Sequence, residues 1–193
     1  MKKYFIILIL SSFLSCSGGQ CTDNKNSSED PDIQIETFDA RKKYSDITKD
    51  IIASVPDSDL EQVMVDYVYD RVIEGNDAGS RAAFKKLSPG FRAVYSTLVL
   101  EELVRTEGFA QYFSEPEGLY IEGAVEGFSL LGAPVLSRIA RTAMLLSREG
   151  GSSVADIDKF SELDDEFIKN SGPAGNLRIK YIRNHPSMFY TKD

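Results

Sequence analysis

The side chains able to do chemistry are few and scattered along this chain. Its 193 residues hold one histidine, His185, and two cysteines, Cys16 and Cys21. His185 stands before a proline near the C-terminus, and no Cys, Asp or Glu falls at metal-ligand spacing around it, so no metal site is expected. No glycine-rich phosphate loop and no Gly-x-Ser-x-Gly elbow is present, and no cofactor is expected. One carboxylate run, Asp164-Asp165-Glu166, has the residue types for proton exchange. Paired with a second acid such as Glu102 across a cleft, it would suit hydrolysis of the glycoside type. A solvated helix face explains the same run more simply.

Cys16 has a clearer context. Met1-Lys2-Lys3 is a short positive start, Tyr4 to Leu14 an apolar run, and Ser15-Cys16 its end. This is the pattern of an export signal, too short for a membrane span of roughly 20 apolar residues. A signal ending at cysteine resembles the bacterial lipoprotein type, which implies cleavage after residue 15 and a lipid on Cys16. An ordinary cleaved signal and a Cys16–Cys21 disulfide are the alternatives. Phe13 stands where such signals most often carry leucine. With Lys2 and Lys3 removed, 20 basic side chains face 30 acidic ones, a net charge near −10. That balance repels nucleic acid and anionic lipid, and it suits a basic protein partner or simple solubility.

The elements that must position any site read as helices. Residues 16–37 are polar, with too few apolar side chains to offset the entropy of ordering, and form a flexible tether. A helical domain over 38–193 follows. Its first helix is expected over Phe38 to Val55, closed by Pro56, with Tyr44, Ile47, Ile51 and Ile52 inward. A second starts at the capping-box pattern Ser58-Asp59-Leu60-Glu61, runs to Gly75, and buries Leu60, Met64, Tyr67, Val68 and Val72. At 100° per residue Asp59, Asp66 and Asp70 fall within about 20° of one another. Glu74 lies beside them, and Asp77 joins if the helix continues. This predicts a carboxylate ridge able to bind a basic partner, sparser than duplex DNA at one charge per about 1.7 Å of axis.

The central helix begins at Ser88-Pro89, where serine caps the free amides and proline leaves no N–H unpaired. It should stop at Gly108. Phe91, Val94, Tyr95 and Leu98 make an apolar stripe that continues into Glu102 and Arg105, so this pair is expected near the core, each satisfying the other. Gly108-Phe109-Ala110-Gln111-Tyr112-Phe113 resembles the Gly-Phe-x-Gln-aromatic-Phe signature of domains similar to the C-terminal domain of a bacterial DNA-mimic protein. Leu87-Ser88-Pro89 with Tyr95, Ala124 to Leu131 with Gly132-Ala133, and Tyr181 to Pro186 with Phe189 agree in order, over roughly Ala82 to Tyr190. Where the family often has Asn-Gly-Gly, Thr106-Glu107-Gly108 stands here. The resemblance implies an all-helical fold and admits a homodimer, whereas most members have no assigned function. On the residues' own account Phe109, Tyr112 and Phe113 are core, and Gln111 satisfies backbone groups at the turn.

Beyond the loop at Pro116, Leu119 to Leu131 reads as a helix whose Gly123 and Gly127 admit a close neighbour. Pro134 opens another, with Val135, Leu136, Ile139, Ala140, Ala143 and Leu146 inward and Arg138, Arg141 and Arg148 outward. This arginine strip offers a mate to an acidic ridge in a second subunit. Val154 to Asn170 follows, with Ile157, Phe160, Leu163, Phe167 and Ile168 inward and Asp156, Asp158, Glu162, Asp164 and Glu166 outward. Leu177 to Asn184 is last, stopped by Pro186. The expectation is an all-α single bundle of about seven helices, anchored in a bacterial envelope by lipid, without catalysis, and binding a basic protein through acidic helix faces. An envelope hydrolase using paired carboxylates is the alternative.

Overall fold

The chain divides into two units, residues 1–40 and 41–193. The computed structural model describes residues 43–73, 78–115, 118, 120–150 and 154–190, all in the second unit. The expected signal, Cys16, Cys21, the tether, Phe38, Glu74 and Asp77 lie outside the described residues. Among these the fold is all-α: α1 (Lys49–Ser54), α2 (Asp57–Val68), α3 (Ala78–Lys86), α4 (Pro89–Ser114), α5 (Ile121–Leu130), α6 (Pro134–Arg148), α7 (Val154–Ser171) and α8 (Ala174–Asn184). A π-helical turn, Tyr69–Ile73, extends α2, and a 3-10 turn, Pro186–Phe189, follows α8.

The axis of the bundle is α4, which packs against α2, α5, α7 and α8. Ser88 caps it, its Oγ accepting from the Phe91 N–H while its hydroxyl donates to the Met188 carbonyl. Phe91, Ala93 to Thr97, Val99 to Glu101 and Val104 are all buried, so burial reaches well beyond one stripe of the helix. This close surround needs small residues on the neighbour. A Cβ on Gly127 would sit 2.9 Å from Ala93 Cα, and one on Gly123 would sit 2.5 Å from Ser96 Oγ. Glycine at both points lets α5 lie flush on α4. The Ser137 hydroxyl then ties α6 to the Val125 carbonyl of α5 at 2.7 Å.

Several boundaries differ from expectation. The first helix does not span Phe38 to Val55 but starts at Lys49, because Thr48 caps it by accepting from the Ile51 N–H. Ile47 before that cap and Ile52 in the first turn are both buried, the arrangement of a hydrophobic staple. α2 begins at Asp57, one residue early. Pro56 flanks it, and the Ser58 hydroxyl donates to Asp59 rather than capping. Arg183 from α8 closes α1 by donating to the carbonyls of Ile52 and Val55 and to Asp57. Val135, Ile157 and Ile168 face solvent at 43%, 55% and 47% exposure, contrary to expectation. The buried stripes of α6 and α7 are narrower than their apolar composition suggests, since α4 and α5 occupy only part of each helix.

Candidate functional site

The buried charges sit where α2, α4 and α8 meet. Arg178 is 3% exposed, with its Nη2 donating to Glu101 Oε2 at 2.6 Å and its Nε 2.9 Å from Glu61 Oε1. The expected core pair of Glu102 and Arg105 is therefore corrected. Glu101 is the buried acid, Glu102 is half-buried, and the Arg105 side chain is 56% exposed, reaching Glu101 only at 3.8 Å. The reason is that α4 turns the face bearing Val94 and Glu101 toward α2 and α8 and leaves Leu98, Glu102 and Arg105 on its more open side. A signal was present, since Glu101 follows Val94 by seven residues and Arg178 lies four after Ala174 and four before Ile182, both buried.

One arginine between two acids leaves excess negative charge in a dry place. Burial pushes the Glu61 carboxyl above its ordinary range, and the Glu101 and Glu102 charges add to this, while Arg178 opposes it. Above the ordinary glutamate value of 4.5 the folded state thus retains a proton that the unfolded chain has released. The stability this contributes is complete below that value and is lost as pH rises through the raised one. Thermal melts across pH 4.5 to 7 should show wild type losing more stability than Glu61→Gln. Parallel curves would assign the charge elsewhere.

The signature hexapeptide forms a second constellation. Gly108 has φ 82 and ψ 170, which breaks α4 and starts a new turn at Phe109. The Phe109 N–H donates to Asp164 Oδ1 at 2.7 Å. Asp164 was expected to face water, yet it is half-buried as the cap of this second segment, supplied from α7. Burial pushes its carboxyl upward against the pull of that N–H. Phe109 and Tyr112 are fully buried, Phe113 is partly so, and Phe109 meets Phe167 of α7 edge-on at 5.5 Å. Gln111 does not serve the turn's backbone with its side-chain amide, whose Nε2 donates to Glu115 Oε1 at 2.7 Å.

The α2 ridge is not laid out as one solvent-facing row. Asp59 is exposed, but Asp66 is half-buried and accepts from Gln62 Nε2 at 2.8 Å, and Asp70 is held by Lys43 Nζ at 3.1 Å. The π turn from Tyr69 also breaks the 100° step on which Asp70 was placed. The arginine strip is likewise engaged within the chain, Arg138 with Glu166 and Arg148 with Glu122 at 2.6 Å, while Arg141 is exposed.

On α7 the carboxylates divide. Asp156 lies 3.5 Å from Lys159, Asp164 is the cap, and Glu166 holds Arg138. Asp158, Glu162 and Asp165 are exposed and bond to nothing among the described residues. At 100° per residue these three lie within about 60°, over roughly 10 Å of axis. Lys169 closes the same face toward the C-terminus. Among the described residues no group of three or more His, Cys, Asp or Glu is arranged to hold a metal ion. A family model described as DMP19-like protein matches residues 85–185, which contain α4 to α8, the hexapeptide and both acids' arginine partner. No curated protein and no solved structure matches the chain.

Proposed function

This chain belongs to the DMP19-like family, a DNA-mimic-like group, and on that footing we propose that it is a non-catalytic, lipid-anchored envelope protein that binds a basic protein partner through the acidic face of α7. The observation that carries the reading is the trio Asp158, Glu162 and Asp165, three exposed carboxylates whose side chains bond to no cation among the described residues. Such charges speed encounter with an oppositely charged surface and align it. Their spacing, three over roughly 10 Å, is about half the charge density of a DNA duplex, so the face suits a basic protein surface in general rather than a reader of phosphates. The export signal and Cys16 support placement outside the cytoplasm, held to a membrane by lipid.

Capture from the producing cell tests this. The full chain should retain one or more basic exported proteins, and Asp158→Asn with Asp165→Asn should release them at least several-fold more readily. Equal retention by both forms would end the proposal.

A further inference from the structure

Between α6 and α7 runs an open trough of about 340 Å³, lined by Thr142, Leu145, Leu146, Glu149, Lys159, Glu162, Leu163 and Glu166. Its size is at the low end of ligand pockets, about 300 to 1,000 Å³, and its openness suits a chain segment laid across it. Leu145 is 50% exposed in it, an apolar side chain facing solvent between helices that bury their neighbours. The rim is acidic. Glu166 is matched by Arg138 and Lys159 by Asp156, but the carboxylates of Glu149 and Glu162 bond to nothing among the described residues. An apolar floor beneath unmatched carboxylates is complementary to an apolar side chain flanked by cations.

We infer that this trough is the specific seat of the partner: it takes a basic amphipathic helix of another protein, with a leucine-like side chain on Leu145 and Leu163 and lysines or arginines against Glu149 and Glu162. The inference rests on the α7 reading above and deepens it. Glu162 belongs to both the exposed acidic face and the rim, so the charged surface guides the helix and the floor retains it. Binding of this kind keeps an apolar component that salt does not screen, unlike recognition by charge alone.

Two fluorescein-labelled 14-residue peptides with equal numbers of lysines test it on the purified full chain, one with leucines at every third and fourth position and one with serines there. The leucine peptide should bind about tenfold tighter, the scale expected for burying one such side chain. Leu145→Ser should erase that advantage, and as a half-exposed position it leaves the fold intact, which circular dichroism checks. Glu149→Gln should weaken the leucine peptide further. Equal affinity of the two peptides, no binding of the leucine peptide, or an unchanged ratio in Leu145→Ser would overturn the seat. So would a self-association of the chain that Leu145→Ser abolishes, since a second copy would then cover the trough. Asp158→Asn with Asp165→Asn reads the broader proposal separately, because it should weaken both peptides alike whether or not the trough is used.

Discussion

Arg178→Met should cost about 3–5 kcal/mol of stability, the scale for removing one partner from a buried ion pair. Arg178 is 3% exposed and its guanidinium stands between Glu61 and Glu101, so its loss leaves two carboxylates facing each other with only the exposed Arg105, 3.8 Å from Glu101, nearby. Against a typical total of roughly 5–15 kcal/mol, that is a third or more of the fold's margin. Urea unfolding followed by circular dichroism would measure it. Replacing the whole cluster, Arg178→Met with Glu61→Gln and Glu101→Gln, should recover most of the loss, because the penalty comes from stranded charge rather than a missing contact. A cost under about 1 kcal/mol for the single change would show that water, not Arg178, solvates these acids.

Gly108→Ala should be the next most damaging change, at about 2–4 kcal/mol. Its φ of 82 with ψ of 170 is a region for glycine, and other residues there carry roughly 1–3 kcal/mol of strain. The added methyl would also lie 2.6 Å from Asp164 Oδ2, displacing the carboxylate that accepts from the Phe109 N–H. Asp164→Ala alone should cost less, about 1.5–3 kcal/mol for a hydrogen bond to a charged group. The double variant separates the causes. If it is no worse than Gly108→Ala, displacement of Asp164 accounts for the bond's share, and the remainder is backbone strain. A Gly108→Ala protein as stable as wild type would refute the reading of the hexapeptide as a break in α4 held from α7.

These two sites also mark how far the residues alone could be read. Local signals worked well: the Ser88-Pro89 start, the glycine break at 108, the inward set of α2 and the paired glycines of α5 all rest on chemistry within a turn or on one helix face. What failed was anything set by a distant neighbour. The apolar spacing of α4 marks a single stripe, whereas α2, α5, α7 and α8 all pack on it, so the buried acid is Glu101 and not Glu102. Asp164 reads as a member of an outward charged helix face, yet the Phe109 N–H, 55 residues earlier, draws it in. The π turn at Tyr69 has no signature in residue types, and it removes Asp70 from the predicted ridge. The acidic face that survives, on α7, is legible as charge, but which of the helix's six carboxylates are free depends on Lys159, Phe109 and Arg138.

The most direct test of the central claim is photo-crosslinking in the producing cell, with a photoreactive residue in place of exposed Ser161, beside the α7 carboxylates, or in place of exposed Asp59 on α2. An adduct with a basic protein is expected from position 161, recovered with the membranes, and little or none from position 59. An adduct equally strong from both positions, or one only from position 59, would contradict it.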